Sequence, residues 1–141
     1  MSEISTNMVL DGITLALRAA YPDSKIESNN VMQGLKCPAF IVQLVTASQT
    51  VRGSNRWKRL PRFDILYFPI GDNEDCYTVA DNLCEILEVI NLPGGDKIRG
   101  TDMTFEVVDE VLHFLVSYNH FVYKDEDEIP MENLNIKQGG L

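Results

Sequence analysis

The sequence is poor in the residues that build metal and catalytic centres. It holds two histidines, His113 and His120, and three cysteines, Cys37, Cys76 and Cys84, in 141 residues. The histidines fall seven apart on one predicted strand, which points them to opposite faces, so they cannot chelate one ion together. Neither pairs with a cysteine at the spacing a zinc site needs. No metal and no cofactor is expected. An odd number of cysteines with no export signal argues against a disulfide framework. Cys76 and Cys84 share a predicted helix about 12 Å apart along its axis, too far for a bond. They read as buried thiols.

Other absences narrow the function further. No apolar run approaches the ~20 residues that span a bilayer. The N-terminal stretch MSEISTNMVLDGITLALRAAYP has no basic region and no clear small-residue cleavage site, so it reads as a mature helix and the chain is expected to stay in the cytoplasm where it is made. There is no G-x-S-x-G elbow. Gly94, Gly95 and Gly100 form neither a P-loop nor a dinucleotide fingerprint. Carboxylates cluster at Asp125, Glu126, Asp127 and Glu128, but in a polar tail, and acid/base catalysis needs carboxylates in a dry, rigid pocket. The chain is not expected to be an enzyme.

What is present suits one soluble domain. At this length roughly 68–70% of the unfolded surface can be buried, and 45% of the residues are apolar. The net charge is −9, which does not attract nucleic acid. The charges are segregated. Arg52, Arg56, Lys58, Arg59 and Arg62 fall within 11 positions, and the opposite run is Asp125, Glu126, Asp127, Glu128 and Glu132.

Hydrophobic periodicity predicts an amphipathic helix over 8–21, capped by Thr6 or Asn7 and stopped by Pro22. A short strand is expected near Lys25–Val31. Ala39–Thr46 (AFIVQLVT) reads as a strand buried on both faces, and Ala47–Pro61 as a polar, basic connection. Arg62–Pro69 (RFDILYFP) is the next strand, with Phe63, Ile65 and Tyr67 on one face and Leu66 and Phe68 on the other. A second helix follows Asp72 or Asn73, with a core face running from Cys76 to Ile90, and ends at Leu92-Pro93-Gly94-Gly95. Thr101–Asp109 and Val111–Tyr123 should form an antiparallel hairpin about Asp109-Glu110, and the long last strand has an outer half free to project beyond the sheet. From Asp125 periodicity stops. The expected fold is α+β, an antiparallel sheet of about four to five strands with two helices packed against it, in the order α-β-β-β-α-β-β. Residues 1–124 form one domain and 125–141 an acidic tail.

The segment GSNRWKRLPR (53–62) is the most unusual local feature. Three readings stay open. Its cations beside Trp57 hold phosphates and stack a base; or it is a solvated hairpin loop; or it is ordered by an acidic neighbour, such as the 125–132 run of another copy. Complementary patches on one chain permit head-to-tail contacts, which close into rings when the rotation allows.

Three segments carry a resemblance to a known family: QGLKCPAFIVQL (33–44), RFDILYFP with the following helix NEDCYTVADNL (62–83), and RGTDMTFEVVDEVLHFLVSYNHFVYK (99–124). Together the sequence resembles the tail terminator, or tail completion, proteins of phages and phage-derived tail-like particles, in the branch with contractile tails. The resemblance implies an α+β fold and a homohexameric ring on the head-proximal end of the tail tube. That ring halts tube growth, meets the last sheath ring, and in phages offers a surface to neck or head-completion proteins. Such a protein assembles in the host cytoplasm and ends in the particle, remote from the baseplate. DNA meets it only in passing through the bore, and no membrane is involved. On this reading Arg52, Arg56, Trp57, Lys58, Arg59 and Arg62, with Glu126, Asp127 and Glu128 in the tail, are the candidate contacts between subunits or to the tail. Two rivals are a tail-tube adaptor or neck connector, and a small nucleic-acid-binding module using residues 52–62.

Overall fold

In the computed structural model the described residues are 3–28 and 37–123. The first helix, α1 (Thr6–Ala20), starts one residue before the expected caps: Ser5 is the N-cap, and its hydroxyl accepts from the Met8 amide at 3.1 Å. Val9, Ile13 and Leu17 recur four apart and are fully buried, as the three-four spacing requires. Pro22 follows the last turn.

The main sheet has five strands in the order β1-β2-β5-β9-β8: β1 (Lys25–Glu27), β2 (Ala39–Thr46), β5 (Arg62–Phe68), β9 (Val111–Ser117) and β8 (Thr101–Val108). Only β1 runs parallel to its neighbour. The end of the expected first strand beyond residue 28 lies outside the described residues. Phe63, Ile65 and Tyr67 do share a face, with Phe40, Val42, Leu112, Phe114 and Val116, and the buried residues of both helices complete that core. β2 departs from the expected two-sided burial. Ala39–Val42 are buried, but Leu44 to Thr46 are exposed where the strand runs past the body.

The second helix, α2 (Asn73–Ile86), is shorter than expected. Its buried positions are Cys76, Val79, Ala80 and Leu83. Ile90, read as a continuation of the helix, lies instead on β6 (Val89–Asn91), which pairs with β7 (Lys97–Arg99) as a two-stranded ribbon. The Pro93-Gly94-Gly95 segment makes the ribbon turn, with both glycines at positive φ, and Leu92 donates to Asp96 at 2.7 Å. Helical spacing of Ile86, Leu87 and Ile90 hid a strand in which Ile90 is apolar for a different reason: it is the buried residue of β6 and packs against α1 at Gly12. A Cβ on Gly12 would sit 2.9 Å from the Asn91 carbonyl oxygen, so only glycine lets the helix approach β6 this closely.

The basic connection is not a loop. It contains β3 (Gln49–Val51) and β4 (Arg56–Arg59), which join β10 (His120–Tyr123) in a second sheet of order β10-β4-β3. Its strands are continuations of β2, β5 and β9 across short breaks at 47–48, 60–61 and 118–119. The main sheet therefore extends past a joint as a three-stranded ribbon. The predicted single strand 111–123 is two strands in two sheets, and its outer half does project, paired with the hairpin.

Tyr118 sits at this joint. It is fully buried, its amide donates to the Pro61 carbonyl at 3.0 Å, and its hydroxyl donates to the Leu87 carbonyl at 2.7 Å. It thereby ties the β9–β10 break to the β4–β5 break and to the end of α2. The hairpin turn between β8 and β9 has Asp109 and Glu110 at φ 53° and 67°. Two successive left-handed residues give the twist-matched two-residue turn, at the cost of placing a Cβ where glycine is preferred.

Two stability measurements follow. Tyr118→Phe leaves the ring in place and removes the only described donor to the Leu87 carbonyl, so urea unfolding should show a loss of about 1–2 kcal/mol; an unchanged midpoint would mean the joint does not depend on that bond. Glu110→Gly should raise stability by about 1 kcal/mol by relieving the left-handed backbone, and a lower thermal midpoint would contradict the strain assigned to this turn.

Candidate assembly surface

The β3–β4–β10 ribbon gathers most of the basic segment and gives it two distinct faces. Cross-strand pairing sets the rows: His120, Arg59 and Gln49; Phe121, Lys58 and Thr50; Val122, Trp57 and Val51; then Tyr123 and Arg56. Because side chains alternate along a strand, His120, Val122, Trp57, Arg59, Gln49 and Val51 share one face. Its β10 side is buried at His120 and Val122, and it opens toward β3, where Val51 is 66% exposed. Arg59 donates from Nε to Gln49 Oε1 at 2.6 Å along this face, and Trp57 is half-buried there.

The other face carries Arg56, Lys58, Thr50, Phe121 and Tyr123. The Arg56 guanidinium lies 4.5 Å from the centre of the Phe121 ring, a cation–π contact. Its Nε donates to the Arg52 carbonyl at 3.3 Å, across the exposed hairpin turn that holds Arg52. Arg62 stands apart from the other cations. It lies on β5 in the main sheet, and its guanidinium donates to the Asp102 carbonyl at 2.9 Å, Ser117 Oγ at 2.9 Å and Thr104 Oγ1 at 3.2 Å. It clasps the irregular start of β8, where Asp102 has φ 54° and the register shifts. Glu126, Asp127 and Glu128 lie outside the described residues.

Phe121 and Tyr123 were not read as site residues from sequence. The signal was present as the alternation His-Phe-Val-Tyr in 120–123 opposite Arg-Trp-Lys-Arg in 56–59. Only the long-range pairing of β10 with β4 shows that the aromatic and basic positions share a face.

The histidines occupy different strands of different sheets. His113 Nδ1 donates to Asp64 Oδ2 at 3.1 Å on the sheet face away from the helices, and Asp64 Oδ1 is buried with no partner among the described residues. Four positions along β9 on the same face, the Ser117 hydroxyl is engaged by Arg62. His120 donates from Nδ1 to the Tyr118 carbonyl at 3.0 Å, leaving a buried Nε2 without a described partner. Among the described residues no group of three or more His, Cys, Asp or Glu could hold a metal ion. No helix of the described residues is long and apolar enough to cross a membrane.

The thiols differ sharply in setting. Cys37 is exposed, Cys76 is fully buried and Cys84 is partly covered. Burial, then the neighbouring Asp75 carboxylate, raises the Cys76 thiol above its ordinary range; burial, then Asp81 and Glu85, raises Cys84. Burial and the accepting Asp75 carboxylate also push the Tyr67 hydroxyl up.

This arrangement defines a small α+β protein whose distinguishing feature is an open, cation- and aromatic-bearing surface carried out from the core. The family of phage tail terminator proteins matches residues 8–130. The chain belongs to that family, and it is a structural protein of the phage tail. No curated protein matches the sequence. Solved structures that resemble the chain include one that covers 87% of it and 98% of its own length, at 15% identity and a TM-score of 0.46. That likeness is too loose to bear on function.

Because the thiolate is the reactive form, an aromatic disulfide reagent at pH 8 should titrate Cys37 rapidly, Cys84 slowly and Cys76 only on unfolding. A second rapid thiol would show that α2 opens readily from the sheet.

Proposed function

We propose that this chain forms a ring, six subunits by the family resemblance, that caps the head-proximal end of the tail tube and stops growth of tube and sheath. The observation that carries the reading is the family match over residues 8–130. The three-stranded extension supports it, because it holds a set of cations clear of the core. The mechanism is geometric. One face of the ring copies the next tube ring closely enough to bind, and the other does not, so stacking ends. The partners are a second copy, the tube protein, the sheath protein and, in a particle with a head, neck or head-completion proteins.

Arg52, Arg56, Lys58 and Arg59, with Trp57 as an aromatic anchor, make the contacts to a neighbour. Arg62 contributes by holding β8 against β9, since its guanidinium is already engaged within the chain. Acidic surface turned toward the bore would repel passing DNA from the wall.

Electron cryo-microscopy of the native particle tests this reading directly. A single ring of this protein at the tube end remote from the baseplate is the expected result. The same protein repeated along the tube, or seated in a neck and absent from the terminal ring, would replace termination by an adaptor role.

A further inference from the structure

The outward face of the ribbon combines charge and aromatic surface in a way that selects its partner. Arg56 pairs across the strands with Tyr123, and Lys58 with Phe121. The two rings stay 48% and 39% exposed. Neither cation forms an ion pair with a described residue. No acidic residue occupies any position of β3, β4 or β10. Two cations flanked by two rings suit an extended, carboxylate-rich chain with some apolar character: a guanidinium takes a carboxylate by two parallel hydrogen bonds, and the rings cover what lies between.

We propose that this face is the docking site for the acidic segment Asp125–Glu128 of a second copy of this chain. The two surfaces are complementary in charge. Four successive carboxylates occupy 125–128, and Ile129, Pro130 and Met131 follow as apolar residues for the rings. The segment follows Tyr123, at the end of the ribbon beside Arg56, whereas Lys58 and Phe121 lie two residues back, about 7 Å along the strand. To lie along the face of its own ribbon the segment has to double back over Tyr123. The segment of a neighbour enters without that reversal. Each subunit then gives a tail and receives one, which is the head-to-tail contact that closes into a ring. The inference rests on the ring reading, and names the contact that the ring uses.

The test uses the full chain and two charge-swapped variants, R56E/K58E and E126K/D127K/E128K, with mass measured by sedimentation equilibrium at about 0.1 M salt, where a Debye length near 10 Å screens repulsion between whole subunits but not a contact. Wild type should associate, and about 0.5 M salt should weaken it about tenfold. Each variant alone should associate at least tenfold more weakly. The equimolar mixture should recover, because each tail then meets an oppositely charged face on the other chain. The neutral variant R56Q/K58Q, which places no new charge on the ribbon, should also associate weakly, and with little dependence on salt.

Several results would overturn the proposal. Variants that associate like wild type remove the face from the interface. A mixture that fails, while a single chain carrying both swaps melts like wild type and stays monomeric, places the segment on its own ribbon. Wild type that binds a single-stranded oligonucleotide through Arg56 and Lys58 assigns the face to nucleic acid. A wild-type chain that stays monomeric up to about millimolar concentration, the Kd range of contacts worth only about 4 kcal/mol, rejects the docking. The terminal ring is judged separately from particle images, so these failures do not touch it.

Discussion

The hydrogen bond from the buried Tyr118 hydroxyl to the Leu87 carbonyl is the constraint on which the rest of the arrangement depends. A tyrosine can be buried at little cost only if its hydroxyl has an acceptor. Here the acceptor is a carbonyl just past the last turn of α2, a group that helix geometry leaves without a partner. The ring fills the space beneath Gly100, where a Cβ would come within 2.7 Å of the same Leu87 carbonyl oxygen. The tyrosine amide meets the Pro61 carbonyl on the neighbouring strand. One residue thus fastens the end of a helix, the start of β8 and two strand breaks at one point.

That fastening divides the molecule into a helix-covered body and a projecting ribbon. Below the joint, strand faces alternate between the helix-covered core and the opposite side. Beyond it the same three strands run on with only part of one face covered, at His120 and Val122. The cations of the ribbon therefore lie outside the hydrophobic core, where a charge would need a buried partner. Arg62 marks the boundary. It is the last of the basic cluster in sequence, but it belongs to the body, and its guanidinium satisfies a carbonyl and two hydroxyls at the bulge of β8. For a structural protein of the phage tail, this division keeps the fold intact while the ribbon surface stays open.

The sequence by itself determined the parts that rest on local periodicity and on strong stop signals. Val9, Ile13 and Leu17 placed α1, the alternation in RFDILYFP placed β5 and its buried face, and Asp109-Glu110 placed the hairpin turn. Core segments such as RFDILYFP carried the family resemblance. Tertiary structure alone decided the rest. Ile90 has helical spacing from Leu83 and Leu87, yet the packing of Gly12 on β6 holds it in a strand. The polar, basic stretch 47–61 has no apolar alternation to announce strands, because its strands gain their order from pairing with β10, some sixty residues away in sequence. The same pairing brought Phe121 and Tyr123 beside Arg56 and Lys58. Local chemistry can specify a helix or a turn, but a surface built by residues far apart in the chain exists only once loop closure has been offset by the contacts that hold the strands together.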